Sequence, residues 1–191
     1  MNRVERSDNS VLIFICGLLR LCPDELPGEN QTIMENNGIF SEKLVAIGLK
    51  ATNRELAIEA LAKVMLENDC VAESFLNAVL EREKVFPTGL ATASFGVALP
   101  HTDCEHVKRT SIAVGVLANP VEFHAMDDPD ATVEVKLIFL MAIRESEALI
   151  VILQRLAEVF QTPDVLDQIS AASSPSQVTQ ILESQMRQTT A

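Results

Sequence analysis

Three histidines, His101, His106 and His124, are the side chains of this 191-residue chain best suited to chemistry near neutral pH, where an imidazole titrates. Two of them lie in FGVALPHTDCEH (95–106), with Asp103, Cys104 and Glu105 between them. Two chemistries fit this composition. A zinc site would draw on His101, Cys104 and His106, because imidazole and thiolate are good zinc donors and a structural site takes four ligands. Yet HxxxxH on a strand-to-loop segment gives the two rings no common face, and Cys104 suits a small buried position equally well. The other chemistry is one imidazole acting alone on phosphorus, one nitrogen attacking while the second donates to an orienting acceptor. His101 has the better placement, since Pro100 restrains the exit from a strand end, where ligands meet α/β sheets. A phosphoryl adduct would carry about two negative charges, which Arg82 or the Thr88 hydroxyl would offset. By residue type alone, an ordinary exposed histidine after a strand fits as well.

KLVAIGLK (43–50) is a compact strand. TNRELAIEALAKVMLEND (52–69) opens with Thr52 three residues before Glu55, a capping box. Leu56, Leu61, Val64 and Met65, with Ala57 and Ala60, give it one apolar face at helical spacing. AESFLNAVLEREKV (72–85) is a second helix, with Phe75, Leu76, Val79 and Leu80 on one side, ended by Pro87-Thr88-Gly89. Strands are expected at 96–99, 111–117 and 133–143, and a small hairpin or edge strand at 121–124. The last long strand is apolar almost throughout, as suits a central strand covered by helices on both faces. SEALIVILQRLAEVF (146–160) is helical, and Thr162-Pro163 and Ser174-Pro175 each start a further helix. This order predicts an α/β domain, a mixed β-sheet flanked by helices.

Composition removes several function classes. Hydrophobic residues make up 48% and charged residues 22% of the chain, a globular balance. The net charge of −12, with no basic block, disfavours nucleic acid and anionic membranes as partners. The run 11–22 is interrupted by Arg20 and too short to span a bilayer. Cys16, Cys22, Cys70 and Cys104 form no CxxC pair, so free thiols in a reducing cytoplasm are expected. No Walker loop, GxGxxG, GxSxG or HExxH motif occurs, and there is no Trp or Tyr on which a base or sugar could stack.

REKVFPTG (82–89) followed by GVALPH (96–101) resembles the enzyme IIA component of the bacterial sugar phosphotransferase system (PTS), in the fructose/mannitol class. The shared pattern is an Arg-Glu pair ending a helix, then Pro-Thr-Gly, a loop and a strand ending in Pro-His. Galactitol-type members resemble it most, through the loop from Arg82 to His101 and the acidic FHAMDDPDATVEVKL (123–137). The resemblance implies a single domain of the mannitol/fructose IIA type over 39–187. It also implies an extension over 1–38, with Met34 an alternative start, and a tail over 188–191. It further implies that His101 accepts a phosphoryl group from the carrier protein HPr, with the tele nitrogen as the candidate atom. His101 would pass the group to a cysteine of a IIB component that works with a membrane-embedded IIC. Arg82 and Thr88 would line that site, with no metal, no cofactor and a cytoplasmic location. One position departs from the pattern. Leu149 stands where many members have a second histidine, which leaves Glu147, His106 or a backbone group to orient His101. His124 is assigned no chemistry. Regulatory IIA proteins that sense nitrogen or potassium status are the alternative reading, and the galactitol-like loop favours transport.

Overall fold

The computed structural model describes residues 39–144 and 146–188. The N-terminal extension and the side chains of Glu147 and Leu149 lie outside the described residues. Five strands, β1 (Val45–Leu49), β2 (Gly89–Ala91), β3 (Gly96–Ala98), β4 (Ser111–His124) and β5 (Thr132–Ala142), form one sheet in the order β1-β4-β5-β3-β2. β1 runs parallel to β4 and β3 parallel to β5, whereas β4–β5 and β2–β3 are antiparallel, so the sheet is mixed.

Alternation along the two central strands explains why both faces are covered. Ile112, Val114 and Val116 of β4 and Leu137, Phe139 and Met141 of β5 point to one side. There they meet the C-terminal helices α3 (Ser146–Phe160), α4 (Pro163–Ala171) and α5 (Pro175–Gln188). The Phe139 and Phe160 rings pack with centroids 5.2 Å apart, a favourable tilted pair. The intervening Ala113, Leu117, Ile138, Leu140 and Ala142 face α1 (Arg54–Glu67) and α2 (Phe75–Val85). Gly115 allows α1 to lie close, because a Cβ there would meet Leu61 Cδ1 at 3.0 Å.

Several expectations are corrected locally. The N-cap of α1 is Asn53, whose side chain accepts from Leu56 N–H, not Thr52. The face of α1 that packs inward carries Ala57, Ile58, Leu61, Ala62 and Met65, while Leu56 is 47% exposed. The separate strand and hairpin expected at 111–117 and 121–124 are one strand, β4. Its register against β5 shifts between Val116 and Val121, an irregular stretch that contains Pro120. Three-residue β2 was not expected at all.

β3 and β2 deliver the segment that ends at His101, and their fit is tight. A Cβ at Gly96 would stand 2.6 Å from the Glu134 carbonyl oxygen and overlap the Val133 side chain. Gly96→Ala is therefore expected to destabilise the fold by about 1–3 kcal/mol in urea unfolding, since backbone cannot yield as a flexible side chain can. An unchanged midpoint would contradict this packing.

Candidate active site

His101 follows β3 by way of Leu99 and Pro100, and forms an isolated parallel bridge with Met141 at the end of β5. Pro100 lends its carbonyl to Met141 N–H at 2.9 Å, which carries the sheet ladder to the histidine. The ring is held by one bond: Nδ1 lies 2.9 Å from the Leu99 carbonyl oxygen. A carbonyl can only accept, so Nδ1 bears the proton and Nε2 carries the lone pair. Nε2 is buried and has no hydrogen-bond partner among the described residues. Burial pushes the imidazole pKa down to about 4, the Leu99 bond pulls it up, and the nearby Arg82 charge pushes it down again. The imidazole is thus neutral at physiological pH.

This has a consequence for acid stability. The folded state resists protonation down to about pH 4, whereas an unfolded histidine takes a proton near 6.5. Stability linked to His101 is present above 6.5 and is lost as pH falls towards 4. His101→Gln is expected to lose less stability than the parent between pH 7 and 4.5 in urea unfolding. Parallel losses in the two proteins would contradict a buried neutral imidazole.

Arg82 lies in the last turn of α2, and its side chain is 13% exposed. Its guanidinium sits 5.5 Å above the Phe86 ring centroid, within cation–π range. One amino group reaches Asp103 Oδ1 at the long distance of 3.5 Å. The Arg82 charge lowers the proton affinity of His101 and the Asp103 charge raises it.

Thr88 is buried too, but its hydroxyl is engaged elsewhere. Thr88 Oγ1–H donates to Glu83 Oε2 at 2.8 Å and Thr88 N–H donates to Glu83 Oε1 at 3.0 Å. The expectation that this hydroxyl offsets phosphoryl charge directly therefore changes: its proton belongs to a buried carboxylate. Glu83 was the residue sequence reasoning left unused, although it stands inside REKVFPTG. Burial pushes Glu83 up to about 7, against the lowering effect of its two Thr88 bonds.

The remaining candidates do not converge on His101. Among the described residues, His106 pairs with Ser74 Oγ at 2.9 Å through Nδ1 and with Glu105 at 3.2 Å through Nε2. It does not orient His101, a task that falls to the Leu99 backbone carbonyl. Cys104 is disulfide-bonded, a cross-link that the cysteine spacing did not announce. Among the described residues, no cluster of His, Cys, Asp and Glu is arranged to hold a metal. His124 borders a separate cleft with Arg54, Glu55 and Thr132.

Residues 38–185 match the family model of the phosphoenolpyruvate-dependent sugar phosphotransferase system, EIIA 2. The chain belongs to this family. EIIA components are phosphotransferases that act through a phosphohistidine, and the chain is a phosphoryl carrier of that kind. The galactitol-specific EIIA component of Escherichia coli K12 is 27% identical over 123 residues, covering 64% of this chain and 81% of that protein. The mannitol-specific EIICBA component of Pasteurella multocida is 31% identical over 154 residues, 79% of this chain but only 23% of that longer protein. In structure, the chain resembles E. coli enzyme IIA for mannitol, solved in complex with phosphorylated IIB. The TM-score is 0.64 at 22% identity, with 76% of this chain and 97% of that one covered. This likeness supports the fold, a mixed five-stranded sheet with flanking helices of the mannitol IIA type. No described helix is long and apolar enough to cross a membrane.

Proposed function

We propose that His101 of this EIIA protein takes a phosphoryl group at Nε2 from the phosphorylated histidine of HPr and passes it to a cysteine of a cognate IIB component. The observation that carries this reading is the bond from Nδ1–H to the Leu99 carbonyl, which leaves Nε2 as the lone-pair nitrogen. In the first step the P–N bond of the donor breaks as the P–Nε2 bond forms, and the donor imidazole leaves with the electron pair. The His101 ring then carries positive charge while keeping its Nδ1 proton, so the bond to Leu99 becomes charge-assisted and stronger. In the second step the IIB thiolate attacks phosphorus and the neutral imidazole departs. Arg82 would turn from its long contact with Asp103 to the phosphoryl oxygens, and Thr88 would act by holding the strand end. No metal or cofactor enters either step, because in-line positioning and charge stabilisation supply what phosphoryl transfer requires.

Val85 and Phe86, 66% and 46% exposed, offer apolar contact area beside Arg82, where an incoming protein must dock. The domain would span residues 39–187 and work in the cytoplasm beside a membrane-bound IIC. The galactitol-specific relative, matched over 81% of its length, supports a galactitol-like polyol as the transported solute. Incubation with phosphoenolpyruvate, enzyme I and HPr is expected to give acid-labile phosphate, which IIB of the galactitol type then removes. Labelling independent of HPr would contradict the donor. Label that no IIB removes would favour the regulatory reading, in which the phosphohistidine is itself the signal.

A further inference from the structure

A continuous chain of hydrogen bonds runs from the buried carboxyl group of Glu83 to the His101 ring. Both carboxylate oxygens of Glu83 accept from Thr88, one from its N–H and one from its hydroxyl. The Thr88 carbonyl accepts Leu99 N–H at 3.3 Å. The Leu99 carbonyl in turn accepts His101 Nδ1–H at 2.9 Å. Each link ties the next stretch of backbone, and the last one selects the tautomer.

We infer that Glu83 is a positioning residue for phosphoryl transfer: its bidentate grip on Thr88 fixes the Leu99 carbonyl that keeps the proton on Nδ1 of His101. This rests on His101 being the phosphoryl acceptor. A carboxylate on the last turn of a helix facing a sheet would ordinarily be replaced by an apolar side chain, because an ionised group there costs more than it returns in stability. Burial of Glu83 is nearly complete, at 3% exposed, and its pKa stands near 7. From α1, Arg54 and Glu55 face it and act on its charge in opposite senses. Between the ordinary value of 4.5 and about 7 the folded state holds a proton that the unfolded chain releases. Stability linked to Glu83 is therefore lost as pH rises through this range. At working pH the residue is a stability cost linked through Thr88 and Leu99 to the active imidazole, the pattern of a group retained for activity.

Two variants test the inference. Glu83→Gln keeps the shape, but only its carbonyl oxygen still accepts. Thr88→Val removes the hydroxyl and keeps the N–H bond, so it reports on the same chain if the first variant does not fold. At pH 8, Glu83→Gln is expected to be at least as stable as the parent in thermal unfolding. Both variants are expected to take phosphate from phospho-HPr about tenfold more slowly, as small losses of alignment cost rate steeply. In ¹⁵N spectra the His101 nitrogens are expected to move from a pure Nδ1–H tautomer towards a mixture, a signature that loss of stability alone does not produce. Parent-like rates and unchanged ¹⁵N shifts in both variants would overturn the inference. Absence of phosphate on His101 in the parent would instead overturn the function it rests on.

Discussion

Replacement of His101 by alanine is expected to abolish phosphoryl transfer, with label falling at least 10³-fold to background, because the acceptor atom itself is removed. No described side chain is placed to substitute. Among the described residues, His106 has both nitrogens engaged by Ser74 and Glu105, and His124 borders the cleft beside Arg54. The variant should fold, since it removes an unpartnered buried nitrogen and a single bond to Leu99. Its thermal unfolding should remain cooperative at pH 7.5. The measurement is acid-labile phosphate after incubation with phosphoenolpyruvate, enzyme I and HPr. Retention of even a tenth of the parent's label on the folded variant would place the acceptor elsewhere.

Arg82→Gln is expected to lower kcat/KM for transfer from phospho-HPr by about 10²–10³-fold. That is the usual size of effect when one preorganised charge is withdrawn from the developing phosphoryl charge. The guanidinium is largely buried, rests on the Phe86 ring and reaches Asp103 Oδ1 at 3.5 Å, contacts that restrain it before phosphate arrives. Arg82→Lys should recover only part of the loss, because an ammonium keeps the charge and gives up the planar fork that spans two phosphoryl oxygens. Loss of the Arg82 charge also lifts one of the influences that hold the His101 proton affinity down, so the imidazole pKa should rise in Arg82→Gln. A combined result of unchanged kcat/KM and unchanged imidazole titration would remove Arg82 from the site.

Much of this architecture is written in side-chain pattern. The apolar runs of β4 and β5 and the i, i+3, i+4 repeats of α3 report two covered faces of one sheet, and the Pro-His step reports the strand end. Elements set by contacts distant in sequence are less visible. β2 is three residues long, too short to show a period, and exists because Gly89–Ala91 pairs with Gly96–Ala98. Leu56 looks like part of the α1 core by spacing, but the face is turned by one position so that Ile58 enters instead. At the site, His101 and Arg82 are legible as residue types. Their support is not: the group that orients the imidazole is a backbone carbonyl, which no residue identity announces. Glu83 in REKV has the appearance of an exposed helix charge until Thr88, five residues later, folds back onto it.

The most direct test of the central claim is a ³¹P–¹⁵N correlation spectrum of the uniformly ¹⁵N-labelled protein after phosphorylation by HPr. The account predicts one phosphoramidate, with phosphorus coupled to Nε2 of His101 and a proton still on Nδ1. Phosphorus coupled to Nδ1, or to any nitrogen outside His101, would contradict it.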